Sequence, residues 1–184
     1  MTPLPNPFGI EISPLLKTWH FQFVGMKTAL DIGCAHGSNA KYLASLGLQV
    51  DAIDKNLPNC ESFDGVTFTR EDILTYSLDK KYDMILALNV LQFLTDKDKY
   101  ETMARLQHAL APCGLLFITS FTRKDPSYRN SRMIRSHFKE GELLNWAHRN
   151  NFIVKAYDEK VIQDCHEPIG EHQHGLVTLV AQKK

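Results

Sequence analysis

Asp31-Ile32-Gly33-Cys34-Ala35-His36-Gly37 is the stretch whose reading decides the fold. A short apolar run over 28–32 leads into it, and Ala40, Leu43, Ala44 and Leu46 follow at helical spacing, so it reads as a glycine-bounded turn between a strand and a helix. Ser38 or Asn39 is placed to cap that helix, and Gly47 stands where a left-handed terminator belongs. The next strand, over 48–54, ends on Asp54, twenty-one residues after Gly33. In a strand-turn-helix-strand unit an acid at that spacing meets ribose hydroxyls. A dinucleotide loop would carry Gly-x-Gly-x-x-Gly for close approach to a diphosphate, and here Ala35 and Ser38 occupy its second and third glycine positions.

Outward from this loop, strands and helices alternate. After a loop containing Pro58, 66–69 reads as a third strand running into Glu71-Asp72-Ile73. The fourth, 82–88, contains Met84-Ile85-Leu86-Ala87-Leu88, apolar without alternation, as a parallel strand covered on both faces requires. A helix over 96–111 presents Met103, Ala104, Leu106 and Leu110, and Pro112-Cys113-Gly114 stops it before a fifth strand over 115–120. A polar loop over 121–138 carries Arg123, Lys124, Arg129, Arg132 and Arg135, a helix spans 140–149, and two strands cover 152–157 and 176–181. The pattern predicts an α/β fold: a Rossmann-like, doubly wound, mostly parallel seven-stranded sheet with helices on both faces and an antiparallel last strand. One domain over 1–184 is expected, with an N-terminal extension (1–26) holding a short helix, a cofactor-binding half (27–120) and a substrate-side half (121–184).

Composition narrows the function. A chain of 184 residues suffices for one core. Its 21 Lys plus Arg balance 21 Asp plus Glu, which weighs against a nucleic-acid partner held by phosphate charge. With 43% hydrophobic and 23% charged residues it reads as globular, and its longest apolar runs are strand-length, so no membrane partner is expected. Met1-Thr2-Pro3-Leu4-Pro5-Asn6-Pro7 offers no basic cluster followed by an apolar stretch, so no signal peptide is expected and a cytoplasmic location is. Cys34, Cys60, Cys113 and Cys165 form no Cys-x-x-Cys pair and read as reduced thiols. A monomer or homodimer acting on a small-molecule acceptor is the expectation.

The Asp-x-Gly-x-x-x-Gly pattern resembles the first motif of the class I S-adenosylmethionine-dependent methyltransferases. Beyond it, 50–56, Tyr82-Asp83-Met84-Ile85-Leu86, Leu91-Gln92-Phe93-Leu94 and above all Phe138-Lys139-Glu140-Gly141-Glu142-Leu143 resemble the bacterial tellurite-resistance methyltransferases of TehB type, over roughly 27–184. The resemblance implies S-adenosylmethionine as cofactor and S-adenosylhomocysteine as product. Its methionine end would lie over Asp31, Gly33, Cys34, Ala35, Gly37 and Asn39, its ribose on Asp54 beside Lys55, and its adenine on Asp72 and Ile73. Asn89 and Val90 would line the transfer site. The family's terminal histidine is matched by His166, and His172 and His174 stand near where the family places arginines that meet an oxyanion.

The cluster of His166, His172 and His174 beside Glu167 and Glu171 admits three readings: a solvated hairpin, a patch for an oxyanion acceptor, or a zinc site. Arg123 and Arg129 are further anion candidates. No metal is assigned. The expected reaction is in-line methyl transfer to a small soft nucleophile, possible acceptors being tellurite or selenite, with Phe93, His166, His172 and His174 shaping the acceptor pocket and no obligatory base. The alternatives are a thiol or another small metabolite as acceptor, and a non-catalytic module that only binds the cofactor.

Overall fold

The computed structural model describes residues 11–166 and 170–184. Seven strands, β1 (Thr28–Ile32), β2 (Gln49–Ile53), β3 (Val66–Thr69), β4 (Tyr82–Leu88), β5 (Leu110–Phe121), β6 (Phe152–His166) and β7 (Gly170–Lys183), form one sheet in the order β3-β2-β1-β4-β5-β7-β6. The pairs β1-β2, β2-β3 and β4-β5 are parallel, whereas β7 runs antiparallel to both β5 and β6. The expected doubly wound sheet with a reversed last strand is what forms. The chain divides into two compact units, the first ending at Tyr76 and the second spanning Ser77–Lys184.

In the first unit, α1 (Pro14–Trp19) starts with proline at its first position, where the missing N–H costs nothing, and buries Leu16. Residues 1–10 of the expected extension lie outside the described residues. β1 is buried from Ala29 to Ile32, and α2 (Ser38–Ser45) packs Ala40 and Leu43 inward. Two expectations fail here. Leu46 is exposed because the helix has already ended at Ser45, with Gly47 at φ 93 beyond it. Neither Ser38 nor Asn39 caps α2: Gly37, at φ 75, holds the cap position, and the Asn39 amide oxygen accepts from the Ser13 N–H at 2.8 Å. The Asp31 carboxylate, reaching from the end of β1, accepts the Ala40 N–H in the helix's first turn.

In the second unit, α3 (Asp96–Ala109) is capped by Thr95, whose hydroxyl accepts from the Asp98 N–H. It ends two residues before the expected boundary because Leu110 is already extended and joins β5; Ala104 faces solvent and Thr102 takes the buried place. Pro112-Cys113-Gly114 therefore lies inside β5, not ahead of it, and with Cys113 at φ 61 the pairing with β4 jumps from Tyr82↔Leu110 to Met84↔Leu115. α4 (Ser127–Asn130) lies in the loop expected to be irregular, and α5 (Glu142–Arg149) starts two residues late because Gly141 takes φ 69. The Lys-Glu-Gly-Glu-Leu string is thereby explained as architecture. Glu142 accepts the Lys139 N–H at 2.5 Å and the Tyr100 hydroxyl, and the Gly141 N–H donates to Glu159 at 2.9 Å. β6 and β7 are far longer than their expected 152–157 and 176–181 spans and form a ribbon paired from Phe152↔Lys183 to His166↔Gly170. No helix among the described residues is long and apolar enough to cross a membrane.

Candidate active site

In the first unit the loop after β1 is drawn tight by its own backbone. Gly33 and Cys34 both donate to the Ile53 carbonyl, at 2.8 and 3.1 Å, and the Gly37 N–H donates to the Cys34 carbonyl at 2.8 Å. Gly33, Ala35 and Gly37 all have positive φ, at 69°, 47° and 75°. At Gly37 the backbone conformation disfavours any other residue, and a Cβ would sit 2.3 Å from the tip of the Phe68 ring, which would have to move. Asp54 holds the loop from β2: its Oδ2 accepts from the Ala35 N–H at 3.0 Å and its Oδ1 from the Asn56 N–H at 2.8 Å. A carboxylate offers about four acceptor positions, so capacity remains for further donors.

Asp31 is 2% exposed, and its Oδ2 meets no hydrogen-bond donor among the described residues. Burial first, and then the Asp54 charge, push its carboxyl up from 3.8 to about 7, while the Ala40 N–H pulls the other way. The Cys34 thiol is also pushed up, by burial and by the charges of Asp31 and Asp54, which removes it as a nucleophile and leaves its backbone as its contribution. Asp72 closes a turn after β3, its Oδ1 accepting from the Leu74 N–H at 3.0 Å, and Ile73 beside it is buried. Lys55 is exposed. Thus Asp31, Gly33, Cys34, Ala35, Gly37, Asp54, Asp72 and Ile73 all lie at or just beyond the carboxyl ends of their parallel strands, where such sheets bind ligands. Asn39 lies inside α2 and is engaged by Ser13.

In the second unit Asn89 follows β4 at φ 55, fixed to Thr119 by its N–H, at 2.9 Å to the carbonyl, and by its amide oxygen, at 3.0 Å from the hydroxyl. Val90 is half-buried, and Phe93, closing a short 3-10 turn, stays 38% exposed. His172 and His174 do come together, their Nε2 atoms 2.9 Å apart. The ring of His174 stacks on Phe121 at 5.0 Å, and its Nδ1–H donates to Asp125 Oδ2 at 3.0 Å. Of His166 only the backbone is described, as the end of β6.

Four further residues, Asp125, Ser127, His137 and Asp164, join this cluster without a motif of their own in the sequence. Asp125 is 3% exposed and accepts from Ser127, His174 and the Gly175 N–H. Burial alone would raise its pKa, but those hydrogen bonds outweigh it and hold the carboxylate below 3.8. Ser127 also meets His137 Nε2 at 2.9 Å, and burial lowers the pKa of His137. The signal for Asp125 was the Asp-Pro-Ser turn inside the basic loop. Asp164 faces His172 across the ribbon, a pairing visible only once both strands are known to extend that far. Arg123 packs over Tyr128 at 5.2 Å and, with Lys124 and Arg129, borders a cavity of about 280 Å3.

Gly175 makes this arrangement possible. A Cβ there would lie 2.4 Å from the Asp125 nitrogen and 2.6 Å from the Lys124 carbonyl carbon, both backbone. Gly175→Ala is therefore expected to destabilise the fold by about 2 to 3 kcal/mol, as forced overpacking does. Thermal melting should show a midpoint lowered by roughly 4 to 12 °C for a chain of this size. An unchanged midpoint would show that the Asp125 segment yields freely.

The fold is that of the class I methyltransferases. The solved TehB from Haemophilus influenzae superposes with a TM-score of 0.73 at 20% identity, covering 91% of this chain and 61% of that one. The 1,6-didemethyltoxoflavin-N1-methyltransferase of Burkholderia thailandensis, solved with bound 1,6-didemethyltoxoflavin and S-adenosylhomocysteine, gives a TM-score of 0.70 at 18% identity, over 93% of this chain and 77% of that one. The chain belongs to the family of the tellurite resistance protein TehB, whose model matches residues 20–168. A relative by sequence is the ubiquinone biosynthesis O-methyltransferase of Rickettsia felis, 24% identical over 153 residues, 79% of this chain. The chain spans 60% of that relative's length.

Proposed function

We propose that the chain is an S-adenosylmethionine-dependent methyltransferase acting on a small soft nucleophile, with tellurite or selenite as the foremost candidates. One observation carries the cofactor half of this reading: a tight three-residue set of left-handed positions, Gly33, Ala35 and Gly37, tied to Asp54 and backed by the unsatisfied Asp31 oxygen. A buried carboxylate oxygen without a donor suits the cationic end of a zwitterionic amino acid, and the loop leaves no diphosphate fingerprint. Membership of the TehB family supports the acceptor class.

S-adenosylmethionine supplies a methyl group already activated on a sulfonium. The chain's own work is to bind and align. Asp54, held by two backbone N–H groups, accepts from the ribose hydroxyls; Asp72 accepts from the adenine amine beside Ile73; and Asp31 supplies countercharge for the methionine end. Lys55, Asn89 and Val90 complete the proposed cofactor set. Phe93, His166, His172 and His174 are the proposed acceptor-side residues, with Arg123 and Arg129 available to an anion. A selenium, tellurium or sulfur lone pair needs positioning more than deprotonation, so no side chain is assigned as obligatory base.

The test of substrate class is the rate of S-adenosylhomocysteine release with tellurite, selenite, small thiols and ring hydroxyls in parallel. Fastest turnover with an oxyanion or its reduced form supports the proposal; turnover confined to ring hydroxyls overturns the acceptor class. Orientation of the cofactor has its own check. Asp72→Asn should cut the preference for S-adenosylhomocysteine over its inosine analogue by about tenfold, since one charged hydrogen bond is lost. Equal discrimination by parent and variant in calorimetry would make Asp72 a turn residue only.

A further inference from the structure

The two imidazoles on β7 pose a valence problem. His172 Nδ1 faces the Gly170 carbonyl at 2.8 Å and His174 Nδ1 faces the Asp125 carboxylate at 3.0 Å. A carbonyl and an ionised carboxylate only accept, so both Nδ1 atoms carry the hydrogen and both Nε2 atoms are lone-pair donors in the neutral rings. Those two Nε2 atoms face each other at 2.9 Å. A third acceptor points the same way: Asp164 Oδ2 lies 3.9 Å from His174 Nε2, while its Oδ1 is engaged by the Cys165 N–H at 2.8 Å. All three candidate ligand atoms fall within 4.8 Å of one another.

We propose that Asp164, His172 and His174 bind a divalent transition-metal ion of the zinc type. A shared proton would satisfy the nitrogen pair but leaves Asp164 out, because 3.9 Å is beyond hydrogen-bond reach. A metal accounts for all three. Zinc bonds of about 2.0 to 2.1 Å in a tetrahedron place ligand atoms roughly 3.3 to 3.4 Å apart, between the two observed separations. Asp125 completes the design from behind, holding the distal nitrogen of His174 as carboxylates do for metal-bound histidines, and it is itself fixed by Ser127 and Gly175. Asp164 and His172 sit opposite each other in the ribbon register, so the backbone sets the site before any ion arrives. Three protein ligands leave a fourth position for water or an anionic ligand. This goes beyond the methyl-transfer reading and stands whether or not that reading does.

The full chain, stripped with EDTA and titrated with zinc chloride in a calorimeter, should take up one zinc per molecule, and elemental analysis after gel filtration should agree. His172→Ala and Asp164→Ala should each weaken binding by at least about tenfold, and Asp125→Asn, which removes the supporting charge and one of its two accepting oxygens, by about tenfold. Circular dichroism checks that each variant remains folded. Cobalt in place of zinc should give the visible absorption of a four-coordinate site, lost in His172→Ala. A parent that retains no zinc overturns the proposal and leaves a shared proton between the rings. Zinc retained equally by His172→Ala/His174→Ala overturns it as well, placing the ion elsewhere in the chain.

Discussion

Asp54→Ala is expected to weaken binding of S-adenosylhomocysteine by roughly 30- to 700-fold, or about 2 to 4 kcal/mol, on the scale of one or two charged hydrogen bonds. The effect has two parts. The substitution removes the acceptor proposed for the ribose hydroxyls, and it releases the Ala35 N–H, which is held at 3.0 Å in a left-handed conformation that alanine adopts only under constraint. Asp54→Asn keeps one oxygen for that contact and should lie between variant and parent. Calorimetry on the folded variants decides the matter: affinity within a factor of two of the parent would remove Asp54 from the cofactor site.

Asp31→Asn should act in opposite directions on stability and on cofactor binding. With its folded pKa raised from 3.8 to about 7, first by burial and then by the Asp54 charge, Asp31 binds its proton more tightly in the folded state than in the unfolded one. The stability this contributes is fully present below about pH 4, is lost as pH rises toward 7, and is absent above that. A difference of about three units corresponds to something on the order of 4 kcal/mol between the two ends of the window. Asparagine cannot ionise but still accepts the Ala40 N–H. The variant should therefore match the parent at about pH 4 and exceed it in denaturation midpoint by a margin that grows from pH 5 to pH 8. Cofactor affinity at pH 8 should fall, because the countercharge for the methionine end is gone. Parallel stability profiles for parent and variant from pH 5 to 8 would mean that Asp31 is accommodated in its ionised form by the fold itself.

The parts of the molecule that sequence reveals are those whose physics is local. Gly33 and Gly37 announce a turn that only glycine makes comfortably, the unbroken apolar run from Met84 to Leu88 announces a strand covered on both faces, and Asp54 follows from the length of one helix and one strand. What stayed hidden depends on partners far along the chain. Gly37 holds the cap position of α2, and the side-chain acceptor for its first turn is Asp31 on the preceding strand, a partner that the local run at Ser38 and Asn39 does not reveal. The outer half of the β6-β7 ribbon lacks sustained apolar alternation, with Asp158, Glu159, Gln163 and Asp164 on one side of the pairing and Glu171 and Gln173 on the other, so nothing in its composition marks it as strand. Without the ribbon's full length, nothing sets Asp164 opposite His172. Asp125 stands among arginines that draw attention first, although burial and four donors from three residues make it the anchor of the histidine pair.

Following the methyl group tests most directly the claim that this chain moves it from S-adenosylmethionine to a small soft acceptor. The purified chain is incubated with cofactor carrying a deuterated methyl group and with tellurite or selenite under reducing conditions, and the products are analysed by mass spectrometry. The expected result is the deuterated methyl group on tellurium or selenium, with an equal amount of S-adenosylhomocysteine. Cofactor bound one to one but recovered intact, with no labelled product from these acceptors or from small thiols, would contradict the claim and identify the chain as a module that only binds.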